Sequence, residues 1–181
     1  MNSLKITTIA MAIGLAFSTG TMAESMSKAQ YKNDKDSITS EFKSAKAACG
    51  TLSGNANDIC KAEAGGKEKV AKAELESKYK PTVRTRYNVR LARADADYGV
   101  ARERCDDSAG NVKNVCVKEA KAAYTKAKGE AKATEKSTAA HKEAKEDTRD
   151  AEYKVAIEKC DGLAGDAKDT CQKNAKTKYH K

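Results

Sequence analysis

Three stretches of this chain repeat one pattern: CGTLSGNANDIC (Cys49 to Cys60), CDDSAGNVKNVC (Cys105 to Cys116) and CDGLAGDAKDTC (Cys160 to Cys171). They use all six cysteines, always eleven positions apart, and recur at intervals of 56 and 55 residues. Two cysteines eleven apart on one straight helix would stand about 16 Å from each other at 1.5 Å per residue. A disulfide needs its Cα atoms within roughly 7 Å. If each pair is bonded, the chain must reverse between its cysteines.

The centre of each unit supplies the means. Gly54, Gly110 and Gly165 suit the left-handed position that ends a helix. Asn55, Asn111 and Asp166 follow them and are good N-caps for a second helix. Asp58, Asn114 and Asp169, three positions further on, complete a short-chain variant of the capping box. Alanines stand four residues before each first cysteine (Ala45, Ala101, Ala156) and four after each second one (Ala64, Ala120, Ala175). Small residues there let two helices approach closely enough for a bridge. An aromatic lies seven before each first cysteine: Phe42, Tyr98, Tyr153. The expected pairing is local, Cys49 with Cys60, Cys105 with Cys116 and Cys160 with Cys171, with turns near 50–56, 106–112 and 161–167. Metal binding is the weaker reading. The spacing lacks the C-x2-4-C pairs of zinc sites, and only His141 and His180 could complete a ligand set. The units also lack the spaced acids and terminal Glu of a calcium loop.

Residues 1–23 have the layout of a cleavable signal peptide. Lys5 gives the positive start, Ile6 to Phe17 a short apolar stretch, and Thr21-Met22-Ala23 a small-residue cleavage site. Residues 24–181 then form a single elongated helical domain in an oxidising compartment, where an even set of cysteines pairs. No second apolar run follows, so no transmembrane segment is expected in the mature chain. Leu, Ile, Val and Phe make up only about a tenth of it, a level usually associated with disorder. Its richness in Ala, Glu and Lys instead fits long helices and coiled coils. The fold class expected is all-α: elongated antiparallel helices forming three disulfide-stapled αα-hairpins.

Two joints between the units decide the overall shape. Pro81, the only proline, falls after the second helix. Aligning Cys60 on Cys116 places Ser137 opposite it. If both joints only kink their helices, one helix runs from about Ala56 to Cys105 and another from Val112 to Cys160, each roughly 75 Å long. Such a rod has a four-helix end and a two-helix stalk tipped by Cys105–Cys116. A compact bundle with reversals at both joints is disfavoured, because the later segment offers Lys142, Glu146 and Arg149 where the earlier one offers Tyr87, Leu91 and Ala94. Gly65-Gly66 is expected to weaken the second helix locally.

Between Pro81 and Cys105 lie six of the seven arginines, with no acid from Glu76 to Asp95. At 100° per residue, Arg86, Arg90, Arg93 and Arg104 share a narrow stripe. This is either a solvated helix face or a candidate anion-binding face.

The segments GGKEKVAKAELE (Gly65 to Glu76), RADADYGVARERCDD (Arg93 to Asp107) and AGNVKNVCVKEAKAA (Ala109 to Ala123) resemble a family of short, secreted, Ala/Lys/Glu-rich proteobacterial proteins with repeated C-x10-C units. These are sometimes labelled TolA-like, after the long helical central domain of that envelope protein. The resemblance implies a periplasmic location in a Gram-negative envelope and brings no catalytic residues. No Ser/His/Asp set, Gly-rich phosphate loop or C-x-x-C redox motif occurs. The function expected is therefore a periplasmic structural or interaction protein, a helical scaffold or spacer without catalysis or cofactor, binding a protein or other envelope partner. The alternative is a polyanion binder acting on lipopolysaccharide, acidic lipid or nucleic acid. Export with this leader also points to the periplasm.

Overall fold

A computed structural model describes residues 26–181; the signal-peptide reading of residues 1–23 lies outside them. Five α-helices account for nearly all of these residues: α1 (Lys28–Ala48), α2 (Gly54–Tyr79), α3 (Val83–Cys105), α4 (Gly110–Asp161) and α5 (Gly165–Tyr179). All three disulfides are local, Cys49–Cys60, Cys105–Cys116 and Cys160–Cys171, with Cα–Cα distances of 5.6, 5.6 and 5.7 Å. Each closes an αα-hairpin, as its spacing requires.

The hairpin turns share one construction. Gly54, Gly110 and Gly165 all have φ near +55° and open the second helix of their hairpin. A side chain at that φ would be strained, so glycine permits the reversal. The expected caps do not form. The N-cap positions are Ser53, Ala109 and Ala164, and none makes a side-chain capping bond. Asn55 reaches sideways instead, donating to the Glu103 carbonyl and to the Asp107 carboxylate, both at 2.7 Å. Turn closure falls to the residue eight after the first cysteine. Lys113 pairs with Asp106 at 2.9 Å and Lys168 with Asp161 at 3.0 Å. In the first hairpin these positions are Asn57 and Gly50, and Asn57 donates to the carbonyls of Cys49 and Leu52.

Tyrosine pairs brace the hairpins below their bridges. Tyr98 stacks on Tyr124 with ring centroids 4.8 Å apart, and Tyr153 meets Tyr179 edge-on at 6.2 Å. Both pairs sit seven before the first cysteine and eight after the second. The first hairpin has Phe42 and Glu68 there, and its pair, Tyr31–Tyr79 at 4.5 Å, lies three turns further from the bridge.

The two joints behave differently, which corrects the expected rod. At Pro81 the chain reverses. Proline disfavours the helical conformation at the residue before it, and Lys80 has left the helix, with φ −130° and ψ 86°. Thr82 then caps α3 through a reciprocal capping box with Thr85. The antiparallel α2–α3 pair is fixed by Gly66 against Ala96, by Glu63 with Arg104 at 3.0 Å and by Glu74 with Arg93 at 2.6 Å. At Ser137 the helix neither kinks nor reverses. α4 is one helix of 52 residues, about 78 Å long, and Thr138 donates back to the Thr134 carbonyl inside it.

Each helix packs only against its sequence neighbours: α1 on α2, α2 on α3, α3 on α4, and α4 on α5. The result is an open layer rather than a closed bundle. The Cys49–Cys60 and Cys105–Cys116 turns sit side by side at one end, joined by Asn55, so the second does not tip a separate stalk. The first half of α4 completes the layer and its second half leaves as an arm. Residues 136–148 of that arm are all exposed, and α5 folds back only along the last part. Lys142 and Glu146, the charges that argued against a compact bundle, lie in this bare stretch.

The buried apolar set is small: Cys49, Ala64, Leu75, Ala94, Cys105, Ala131, Cys160 and Ala175. Of the six flanking alanines, Ala64 and Ala175 are buried, Ala101, Ala120 and Ala156 half-buried and Ala45 exposed. α2 runs unbroken through Gly65-Gly66, and the two glycines differ in role. A Cβ on Gly66 would stand 2.8 Å from the Ala96 Cβ and 3.3 Å from its Cα, whereas one on Gly65 would meet nothing within 4 Å. Gly66 therefore sets how closely α2 and α3 approach.

The two glycines should respond oppositely to alanine. Gly65→Ala should stabilise the protein by about 0.5–1 kcal/mol through helix propensity. Gly66→Ala should destabilise it by roughly 1–2 kcal/mol, since overpacking outweighs the same gain. Urea unfolding followed by circular dichroism reads both, and equal effects at the two sites would refute the close-approach argument. Removing the third bridge with Cys160→Ser and Cys171→Ser should loosen α5 selectively. That helix has 15 residues and one neighbour, and it loses about 3 kcal/mol of loop closure. Amide exchange should accelerate across residues 165–179 and stay unchanged in α2 and α3.

Candidate functional site

The arginine face is divided by the α2–α3 packing. Arg86, Arg90 and Arg93 come together and, with Lys78, Ser77 and Glu74 of α2, line a cleft of about 350 Å³. Arg104 stands apart near the Cys105–Cys116 end, paired with Glu63 on the wall of a longer groove. All four are exposed. Arg93 is held by Glu74, while Arg86 and Arg90 have no carboxylate within ion-pair distance among the described residues. The helix turn alone puts three arginines on one side of α3. The reversal at Pro81 adds Lys78 to them, and a proline at a helix joint is compatible with a kink as well as with a reversal. Lys78 was missed for that reason.

The longer groove, of about 930 Å³, follows the α2–α3 seam. Val70, Ala71, Ala96, Val100 and Ala101 form its apolar part, and Glu63, Lys67, Asp97 and Arg104 its charged edges. Its bottom is the Gly66–Ala96 contact, so it is the open side of a helix pair and not an enclosed chamber.

The six cysteines are all bridged. Among the described residues no three His, Cys, Asp or Glu side chains gather into a metal-binding cluster, and no helix is long and apolar enough to cross a membrane. His141 is exposed on the bare part of α4, and His180 follows α5 in a left-handed conformation at φ 54°.

Among the described residues four groups have displaced pKa values, and all lie at helix–helix contacts. The Tyr31 phenol donates to Glu76 at 2.8 Å, and the Tyr124 phenol to Asp95 at 2.5 Å. Those hydrogen bonds, with desolvation second, raise both phenols above the ordinary tyrosine value. Glu135 is lowered by hydrogen bonds from Lys132 and Arg84 against an opposing desolvation, and Asp150 by its bond from Lys181. These are packing groups, distributed along the layer rather than gathered at one point.

Comparison with protein families, curated proteins and solved structures returned no match.

The tyrosine contacts can be read by absorbance titration. A phenol whose pKa is higher folded than unfolded contributes stability below its unfolded value, about 10, and loses it as pH rises through the folded one. Tyr31 and Tyr124 should ionise above the ordinary tyrosine value. Glu76→Gln and Asp95→Asn should each return one of them to the main wave. Unchanged titration in both variants would mean that the carboxylates do not hold the phenols.

Proposed function

We propose that this chain is a non-catalytic structural or interaction protein of the periplasm, a helical scaffold or spacer within the envelope. The observation that carries the reading is the open layer extended by a helix about 78 Å long. Its helices bury cysteines, alanines and one leucine and leave broad faces in solvent, so recognition takes place on surfaces and reach. Three disulfides suit an oxidising compartment and let thin helix seams persist without a large core. The resemblance to secreted proteobacterial helical proteins supports the same location.

A second reading is favoured by one observation: the unpaired Arg86 and Arg90 beside Lys78. Such a cluster suits a polyanion, whose attraction to exposed cations is strong at low salt and screened at high salt. Lipopolysaccharide, acidic lipid and nucleic acid all present the required phosphates.

One experiment separates the two. Protein retrieved from periplasmic extract should keep a protein partner in high salt, and Arg86→Gln with Arg90→Gln should leave that partner in place. A single-stranded oligonucleotide probe should bind only weakly. If instead the oligonucleotide binds tightly at low salt, with a log–log salt slope that those two substitutions flatten by about 1.4, the polyanion reading replaces the scaffold.

A further inference from the structure

The packing of α2 on α3 is written a second time in the sequence, and there it is left open. By the cysteine spacing, α2 corresponds to the first half of α4 (Cys60 to Cys116, 56 residues on), and α3 to its second half (Cys105 to Cys160, 55 on). In the first case Pro81 folds one helix back on the other. In the second no break occurs, so neither half of α4 can reach the other. The faces that would have met remain bare.

Those faces form one line. Taking 100° per residue, Val115, Ala122, Gly129, Ala133, Ala140, Ala144, Ala151 and Val155 fall within roughly 80° of arc along about 60 Å of α4. Val115 is 45% and Val155 55% exposed, and the six between them are exposed as well. Tyr124, Ala131 and Cys160, on the side that packs against α3 and α5, lie on the far side of the helix. Among the described residues no helix covers the line.

We propose that it is covered by a second copy of the chain, with the two α4 helices antiparallel across a two-fold axis. The register follows from the contact already formed within the chain. Gly66 against Ala96 translates to Ala122 against the partner's Ala151. Lys126 then faces the partner's Asp147, Gly129 the partner's Ala144, and Ala133 the partner's Ala140. The axis passes between Lys136 and Ser137, at the position aligned with Pro81. The ion pair Glu63–Arg104 becomes Glu119 with the partner's Lys159. Only Glu74–Arg93 has no counterpart, since its positions are Glu130 and Thr148. Ala122 stands where Gly66 does, so the closest approach shifts to Gly129. Because both bare halves lie on the same side of one continuous helix, a single antiparallel partner satisfies both at once, and the symmetry closes. The dimer would extend the layer through α4 into the arm of its partner.

Sedimentation of the oxidised protein at about 100 μM is the primary test. A dimer is expected. Ala133→Glu with Ala140→Glu places four carboxylates at the centre of the seam. Both sites are exposed in the single chain, so helicity and disulfides should be retained while the dissociation constant rises at least tenfold. Lys126→Asp alone should weaken the dimer about tenfold by juxtaposing like charges at two symmetric positions. Adding Asp147→Lys should restore it, which only the antiparallel register explains. A monomer at this concentration, a dimer indifferent to the glutamates, or failure of the charge swap to rescue would each overturn the proposal. None of these outcomes bears on whether a different protein or a polyanion occupies the α2–α3 side.

Discussion

A disulfide at the root of three of the four helix reversals is the constraint on which this structure depends. The described chain has one large aliphatic side chain in its buried set, Leu75, and the first cysteine of each bridge is buried more deeply than any other member of that set. In the chain-entropy account, closing so short a loop contributes about 3 kcal/mol per bridge. That is a large share of the stability of an ordinary domain. The bridges also fix geometry. With Cα atoms 5.6–5.7 Å apart, two helices start in close contact, and the alanines and tyrosine pairs beyond simply prolong it.

The local architecture was legible because it is encoded locally. Spacing, glycine and flanking alanines lie within a few residues of each bridge, and hairpins and pairing follow from them. The shape depended on two joints that align in the repeat but differ in residue, Pro81 at one and Ser137 at the other. The charges Lys142, Glu146 and Arg149 argued correctly that the second joint does not fold into a bundle. They say nothing against a reversal at Pro81, since α2 carries Gly66 and Val70 and offers α3 a face of its own. Asn55 was misread for a related reason. It has the chemistry of a cap, but the neighbouring hairpin turn places the Glu103 carbonyl and Asp107 within 2.7 Å of it, and a cross-layer contact of this kind leaves no trace in a single repeat. For the arginine face, the helix turn revealed Arg86, Arg90 and Arg93, while the reversal that brings in Lys78 and withdraws Arg93 to Glu74 was hidden in the joint.

Three nearly identical units thus give two different results. A proline at the first joint turns repetition into a folded layer. Serine and threonine at the second, among alanines, lysines and glutamates, leave one helix running through. The tyrosine pairs mark the same freedom on a smaller scale. In the first hairpin the pair has moved three turns down while the bridge, the glycine and the reversal are unchanged. The stapled turn is invariant, and what lies beyond it can vary.

The bare stretch of α4 needs a physical reason to be helical at all. Its thirteen residues, 136–148, are all exposed, and an isolated helix of that length is marginal in water. The difficulty of an isolated helix is nucleation, however, and here both flanks are already wound. On one side Glu135 is held by Lys132 at 2.7 Å and by Arg84 of α3 at 3.1 Å. On the other, Asp150 is bound by Lys181 at 2.5 Å beyond α5. Between these clamps only propagation is required, and the sequence is rich in its best formers, Ala, Lys and Glu. Lys142 and Glu146 add an i, i+4 pair at 3.6 Å. The arm therefore persists because the layer nucleates one end of it and the third stapled hairpin nucleates the other.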